Sequence, residues 1–276
     1  MTFAPTRDVT TYYEEQGSGP AVILIHGHGA DRRIWGRQAP ALVRAGYRVL
    51  RYDVRGHGRS SIPQSGYTWD DYSADLKALV DQLAVPRAHV VGLSMGGGIA
   101  LQFALDHPPR VLSLTLIDSS LPGFGYSGEM ESTIEELRDA VRREGPRKAF
   151  ERLWLPHPMF DGVRRFPDRF AFLREIVLAY PAADYLDDTP YVTPQHQAID
   201  RLGDVSVPTL VMVGELDIPD FQLIAEVLAE NIPGAEKRVV PDAGHLPPLE
   251  QPDEVNRLLV EFFGRSGSVA TEAPRH

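Results

Sequence analysis

One serine in the chain stands where a nucleophile would. The run His89-Val90-Val91-Gly92-Leu93-Ser94-Met95-Gly96 passes from an apolar segment into Gly-x-Ser-x-Gly, and a helical segment, Ile99 to Leu105, follows at once. A serine hydroxyl attacks a carbonyl only when it is held clear of the backbone, beside a base and near backbone donors. A strand–turn–helix with Ser94 at its apex supplies that, and the flanking glycines admit a turn too tight for Cβ atoms. Three other loops carry residues that suit such a serine: His26-Gly27-His28-Gly29, Gly214-Glu215-Leu216-Asp217, and Asp242-Ala243-Gly244-His245. Each follows an expected strand, and an open α/β sheet gathers reactive groups at the carboxyl ends of its strands.

The elements that must position these residues read as follows. Val9 to Glu15 is expected as an edge strand, and Ala21 to Ile25 as a buried parallel strand. A helix over Ile34 to Ala45 and a strand over Tyr47 to Tyr52 come next. Trp69 to Ala84 is an amphipathic helix with Tyr72, Leu76, Leu79, Val80 and Leu83 on one face. Val111 to Ile117, Val207 to Val213 and Lys237 to Val240 complete the strands, with a closing helix through Val255, Leu258, Leu259, Phe262 and Phe263. Strands alternating with helices at this spacing predict a mostly parallel sheet covered on both faces. The alternation stops after Asp118. One helical stripe is marked by Met130, Ile134, Leu137 and Val141, another by Phe166, Phe170, Leu173 and Val177. Prolines at 146, 156, 158, 167, 181, 190 and 194 cut this region into short helices. The expected organisation is a sheet domain over residues 1–120 and 203–265, a helical lid over 121–202, and a flexible tail over 266–276.

Composition narrows the classes. At 276 residues the chain suits one large α/β domain with an insertion. The net charge of −10 argues against nucleic acid as a partner. Apolar runs are strand-length, so no membrane partner is expected. There is no cysteine, which excludes disulfides and thiolate chemistry and suits a reducing cytoplasm. The first ten residues lack the basic start and apolar core of a signal peptide.

Taken together, the motifs carry a resemblance. His26-Gly27-His28-Gly29, Asp53-x-Arg55-Gly56-His57-Gly58-x-Ser60, Gly92-Leu93-Ser94-Met95-Gly96-Gly97, Gly214-x-x-Asp217 and Ala243-Gly244-His245 make the chain similar to the α/β-hydrolase superfamily over nearly its whole length. The order Ser94, Asp217, His245 is that superfamily's order. The resemblance implies Ser94 as nucleophile, His245 as proton carrier and Asp217 as the acid that orients the imidazole. It implies an oxyanion hole from the backbone N–H of Met95 and of His28.

Each assignment has a rival. Asp217 could cap the following helix, Asp220 lies three residues on, and Asp118 ends the strand after the elbow, where some relatives place the acid. Asp217 alone matches Gly-x-x-Asp, and Glu215 is expected to face lid or solvent. His57, His89 and His107 compete for the base. The resemblance suggests a structural hydrogen-bonding role for His57, and His107 reads as a helix end where positive charge is favourable. His26-x-His28 mimics a metal pair, but no third and fourth ligand stands at zinc spacing, so neither metal nor cofactor is expected. Trp154, His157, Phe160, Phe124 and Tyr126 are candidates to line a substrate pocket, against the plainer reading that they glue the lid to the sheet. Trp35 is read as core.

A serine rather than an aspartate at the elbow implies an acyl-enzyme. The motifs look most like the esterase, enol-lactonase and cofactor-free perhydrolase group. That implies a carboxylic ester hydrolase acting on small to medium apolar esters, with a lactonase as the near alternative. Two further readings are a carbon–carbon hydrolase, which would need polar lid groups to steer its substrate, with Arg152, Arg164 or Arg165 as candidates, and a ligand receptor on the same scaffold. A homodimer is left open.

Overall fold

Short, almost wholly apolar runs can be satisfied only inside a sheet with both faces covered. Ala21–Ile25 (β3) and Ala88–Leu93 (β5) are buried at every position. A computed structural model, which describes residues 2–189 and 197–269 with side chains to residue 266, places them side by side at the centre of an eight-stranded sheet. The other strands are β1 (Thr2–Thr6), β2 (Val9–Gln16), β4 (Arg48–Tyr52), β6 (Val111–Ile117), β7 (Thr209–Gly214) and β8 (Glu236–Val240). Their order is β1-β2-β4-β3-β5-β6-β7-β8. β2 runs antiparallel to both neighbours, and every other pairing is parallel.

Helices cover both faces. α1 is Gln38–Arg44, α2 is Trp69–Gln82 and α3 is Met95–Asp106. α2 starts at a capping box in which Thr68 and Asp71 satisfy each other's backbone N–H. α3 is buried at eleven of its twelve positions, Met95 to Leu105, as befits the helix that follows the elbow into the middle of the fold.

Between β6 and β7 comes the helical insertion. It comprises α4 (Gly128–Glu144), α5 (Pro146–Ala149), a π-helical turn over Phe150–Trp154, α6 (Asp161–Arg164), α7 (Pro167–Leu178) and α8 (Ala183–Leu186). Pro146 and Pro167 each open a helix, where their missing N–H costs nothing. The ends of the insertion meet: Ile199 N–H donates to Pro122 O at 3.1 Å. Pro190 and Pro194 lie outside the described residues. The sheet then resumes with β7, α9 (Pro219–Asn231), β8, α10 (Pro247–Glu250) and α11 (Pro252–Val269).

Several boundaries differ from the sequence reading. Val9–Gln16 is not the edge, because β1 pairs outside it from Thr2↔Tyr13 to Thr6↔Val9. Pro5 hid β1, yet an edge strand tolerates a proline. The helix expected over Ile34 to Ala45 is a 3₁₀ turn, Arg32–Trp35, followed by α1. α3 begins four residues before Ile99 and takes Gly96, Gly97 and Gly98 into its first turn. Residues 266–269, expected in the tail, continue α11, and residues 270–276 lie outside the described residues. Among the described residues no helix is long and apolar enough to cross a membrane.

Candidate active site

The turn at Ser94 is enforced by crowding. Ser94 has φ 53° and ψ −120°, a region that L residues rarely occupy. A Cβ on Gly92 would lie 2.0 Å from Gly96 O, and one on Gly96 would lie 2.3 Å from Ile25 O. A Cβ on Gly97 would lie 2.2 Å from Ser119 Oγ, and one on Gly98 would lie 2.7 Å from the Trp69 ring. Helix propensity penalises three consecutive glycines, but here only glycine lets α3 approach β3 and the loop after β6. Ser94 is left partly exposed at the carboxyl end of β5, and Met95 opens the helix, where the first N–H groups have no intrahelical partner.

Asp217 and His245 come together from the loops after β7 and β8. His245 Nδ1 lies 2.8 Å from Asp217 Oδ2, both side chains buried. Asp217 Oδ1 accepts the Ile218 N–H at 2.7 Å, and the His245 ring packs on Phe221 with centroids 4.2 Å apart. Gly27, His28, Ser94 and His245 line one small space of about 30 Å³ with Trp154 and Phe160. No hydrogen bond joins Ser94 Oγ to His245 among the described residues. Such contacts are often long before substrate binds.

The rivals have other work. Both oxygens of Asp220 hold Ser127, through its N–H at 2.6 Å and its hydroxyl at 2.8 Å, and so tie the start of α4 to α9. Glu215 is exposed and accepts the Asp242 N–H. His57 donates from Nδ1 to Arg55 O, and its Nε2 accepts the Gly29 N–H. Burial, followed by the neighbouring His26 and His28, pushes it down to about 3, so it stays neutral. That keeps His57 as a brace for the loop after β3. His89 bonds Ser113 Oγ at 2.8 Å and stacks on Phe263, and burial lowers it to about 4. His107 follows α3, yet burial lowers its pKa, so a positive charge there is disfavoured, contrary to the expectation from the helix end.

His26 and His28 do not form a metal pair. His26 spends Nε2 on the Val54 N–H and Nδ1 on Gly27 O. His28 Nε2 lies 2.9 Å from Asp184 Oδ2, on α8, and 3.2 Å from the Tyr180 hydroxyl. Donor atoms of Asp118, Asp217 and His245 lie within 4.8 Å of one another, but Asp217 and His245 spend theirs on each other.

Above Ser94 opens a cavity of about 670 Å³ between sheet and insertion. That is in the range of small-molecule sites, roughly 300–1,000 Å³. Of the five aromatic candidates, Trp154 and Tyr126 line it. Phe160 reaches only the small space beside His245. Phe124 and His157 line neither: Phe124 stands edge-on behind Tyr126, and His157 stacks on Trp154. Met130, Ile134 and Arg138 line the cavity from α4 at four-residue intervals; the sequence sets Met130 and Ile134 on a helical stripe, but none of the three is among the expected pocket residues. Residues four apart share a helix face, but the same stripe continues through Leu137 and Val141, which are buried and do not line the cavity. Arg152, Arg164 and Arg165 do not line it; Arg152 pairs with Glu144, Arg164 with Asp161, and Arg165 bonds Gly162 O and Asp242 O. Trp35 is fully buried.

Comparison with known proteins agrees with this architecture. The chain is 30% identical over 287 residues to the 2-hydroxy-6-oxononadienedioate/2-hydroxy-6-oxononatrienedioate hydrolase of Klebsiella pneumoniae, covering 94% of this chain and 93% of that one. A thermophilic esterase from Thermogutta terrifontis superposes with a TM-score of 0.80 at 31% identity, over 96% and 97% of the two chains. An enol-lactonase from Burkholderia xenovorans does so with a TM-score of 0.83 at 26% identity, over 95% and 100%. The family profile described as alpha/beta hydrolase fold matches residues 20–252. The chain belongs to the alpha/beta hydrolase fold family.

Proposed function

We propose that the chain is a serine hydrolase that cleaves carboxylic esters of small to medium apolar substrates. The observation that carries this reading is the buried Asp217–His245 pair, whose imidazole shares one small space with Ser94. Ser94 Oγ attacks the ester carbonyl while His245 Nε2 takes its proton. Asp217 holds Nδ1–H, which fixes the tautomer and stabilises the imidazolium. The backbone N–H groups of Met95 and His28 receive the developing oxyanion. His245 returns the proton to the departing alcohol, and the acyl group stays on Ser94. Water, deprotonated by His245, then attacks the acyl-enzyme, and His245 returns that proton to Ser94 Oγ as the acid leaves. Each step uses this chain's own residues and water.

The cavity supports an apolar substrate portion, because Met130, Ile134, Trp69, Tyr126 and Met159 supply much of its wall. A lactone would follow the same steps with its alcohol still tethered, and the enol-lactonase likeness favours that as the second reading. Activity on p-nitrophenyl butyrate and covalent labelling by a fluorophosphonate test the proposal together. Ser94→Ala should abolish labelling and cut kcat by at least about ten-thousandfold. A variant that keeps either would overturn the reading.

A further inference from the structure

Asp118 takes no part in those steps, yet it is the most enclosed acid beside them. It ends the run of β6 with φ 40° and is fully buried. Its Oδ1 accepts the Gly214 N–H at 2.8 Å. Its Oδ2 is buried, and nothing donates to it. An ionised carboxylate with one buried oxygen that no protein group donates to is costly.

The neighbours add to that cost. Donor atoms of Asp118, Asp217 and His245 lie within 4.8 Å of one another. The acids that bear on Asp118 are Asp217, from the loop after β7, and Glu250, on α10. Glu250 has nothing to offer it, since its two oxygens accept the Gly244 and Leu246 N–H groups at 2.6 and 3.0 Å. The His245 ring, through Nδ1, is already committed to Asp217. Burial first, then the charge of Asp217 and a hydrogen bond to it, push the Asp118 carboxyl well above the usual carboxylate range.

Two carboxyl groups sharing one buried site do not both ionise readily. Their donors decide which one keeps the charge. Asp217 receives His245 Nδ1–H and the Ile218 N–H, whereas Asp118 receives only the Gly214 N–H. We propose that Asp118 is a neutral carboxylic acid that donates its proton to the Asp217 carboxylate, and that it acts as the positioning residue of the Asp217–His245 pair. The inference rests on the assignment of Ser94, Asp217 and His245 made above. The third hydrogen bond holds Asp217 Oδ2 on the imidazole. It also makes Asp217 a weaker base, so the proton that His245 takes from Ser94 stays on the imidazole.

The test compares Asp118→Asn with Asp118→Ala in the full chain. Asparagine can donate to Asp217 and accept from Gly214, as the neutral acid does; alanine can do neither. Asp118→Ala should lower kcat about tenfold with little change in KM, and Asp118→Asn should restore most of that loss. In Asp118→Asn the acid limb of the kcat/KM profile should stay where it is in the parent enzyme. Removing a real negative charge this close to His245 would instead lower that limb by about a pH unit or more, which overturns the proposal. Equal loss in both variants would do the same. Infrared spectroscopy gives a readout independent of turnover: at about pH 8 the parent should show a C=O band of a neutral carboxylic acid that Asp118→Asn lacks. Absence of that band also overturns the proposal. It decides the question even where Asp118→Ala fails to fold, or where the Ser94 assignment fails and Asp118 is neutral all the same.

Discussion

At the scale of single residues, the site works by denying side chains their ordinary freedom. Ser94 sits at a strained φ because Gly92 and Gly96 leave no other path from β5 into α3. A Cβ at residue 92 would collide with backbone, which cannot swing aside. Gly92→Ala should therefore cost about 3 kcal/mol or more, or prevent folding, as read by thermal melting. A Gly92→Ala protein as stable as the parent would mean the turn is looser than its geometry implies. The residues named in the motifs were legible because their chemistry is local: a glycine-flanked serine, a Gly-x-x-Asp loop, an Ala-Gly-His loop. Asp118 was legible only as a rival acid. Its isolation depends on what lies beside it, and Asp217 is 99 residues further along.

At the scale of elements, histidine burial gives the sheet a pH dependence. His89 on β5 is wedged between Ser113 on β6 and Phe263 on α11, and His57 braces the loops at the other end of the sheet. Both are held neutral when folded, at about 4 and about 3, against an ordinary value of 6.5. The unfolded chain therefore binds their protons first. Their contribution is complete above about pH 6.5 and is lost as the pH falls through the window down to those folded values. Each group can steepen the loss by up to about 1.4 kcal/mol per pH unit within its window. His89→Gln keeps a partner for Ser113 and cannot titrate. Relative to the parent, its denaturant midpoint should fall less between pH 7 and pH 5. An identical slope would show that His89 is protonated within the fold. The insertion has its own fastening at this scale, the Ser127–Asp220 contact between α4 and α9. Asp220→Ala should speed hydrogen exchange in the first turn of α4 while β3 and β5 stay protected.

At the scale of the whole molecule, sheet and insertion make the cavity jointly. Ser94 and Met95 contribute the floor, and Met130, Ile134 and Trp154 come from the insertion. The two parts are also clasped at the loop after β3, where His28 meets Asp184 and Tyr180. Burial opposes the Asp184 charge, but the charge of His28 and its hydrogen bond outweigh it and hold Asp184 at about 2. Chain-length preference should follow the cavity's size. In a panel of p-nitrophenyl esters, Ile134→Trp should move the optimum to shorter acyl groups, with about a tenfold loss in kcat/KM on the longer ones. Fluorophosphonate labelling of Ser94 should be little changed. An unaltered preference would place the acyl group outside this cavity. The alternation of apolar strands with amphipathic helices, and the motifs at the strand ends, determined the fold and the three candidate site residues from sequence alone, because both are written in short runs of neighbours. Tertiary structure decided the rest: which α4 side chains face the cavity, why His28 is tied to the insertion, and which acid is enclosed beside Asp217. Those properties arise from distances between segments tens of residues apart, and from the exclusion of water, which no local pattern records.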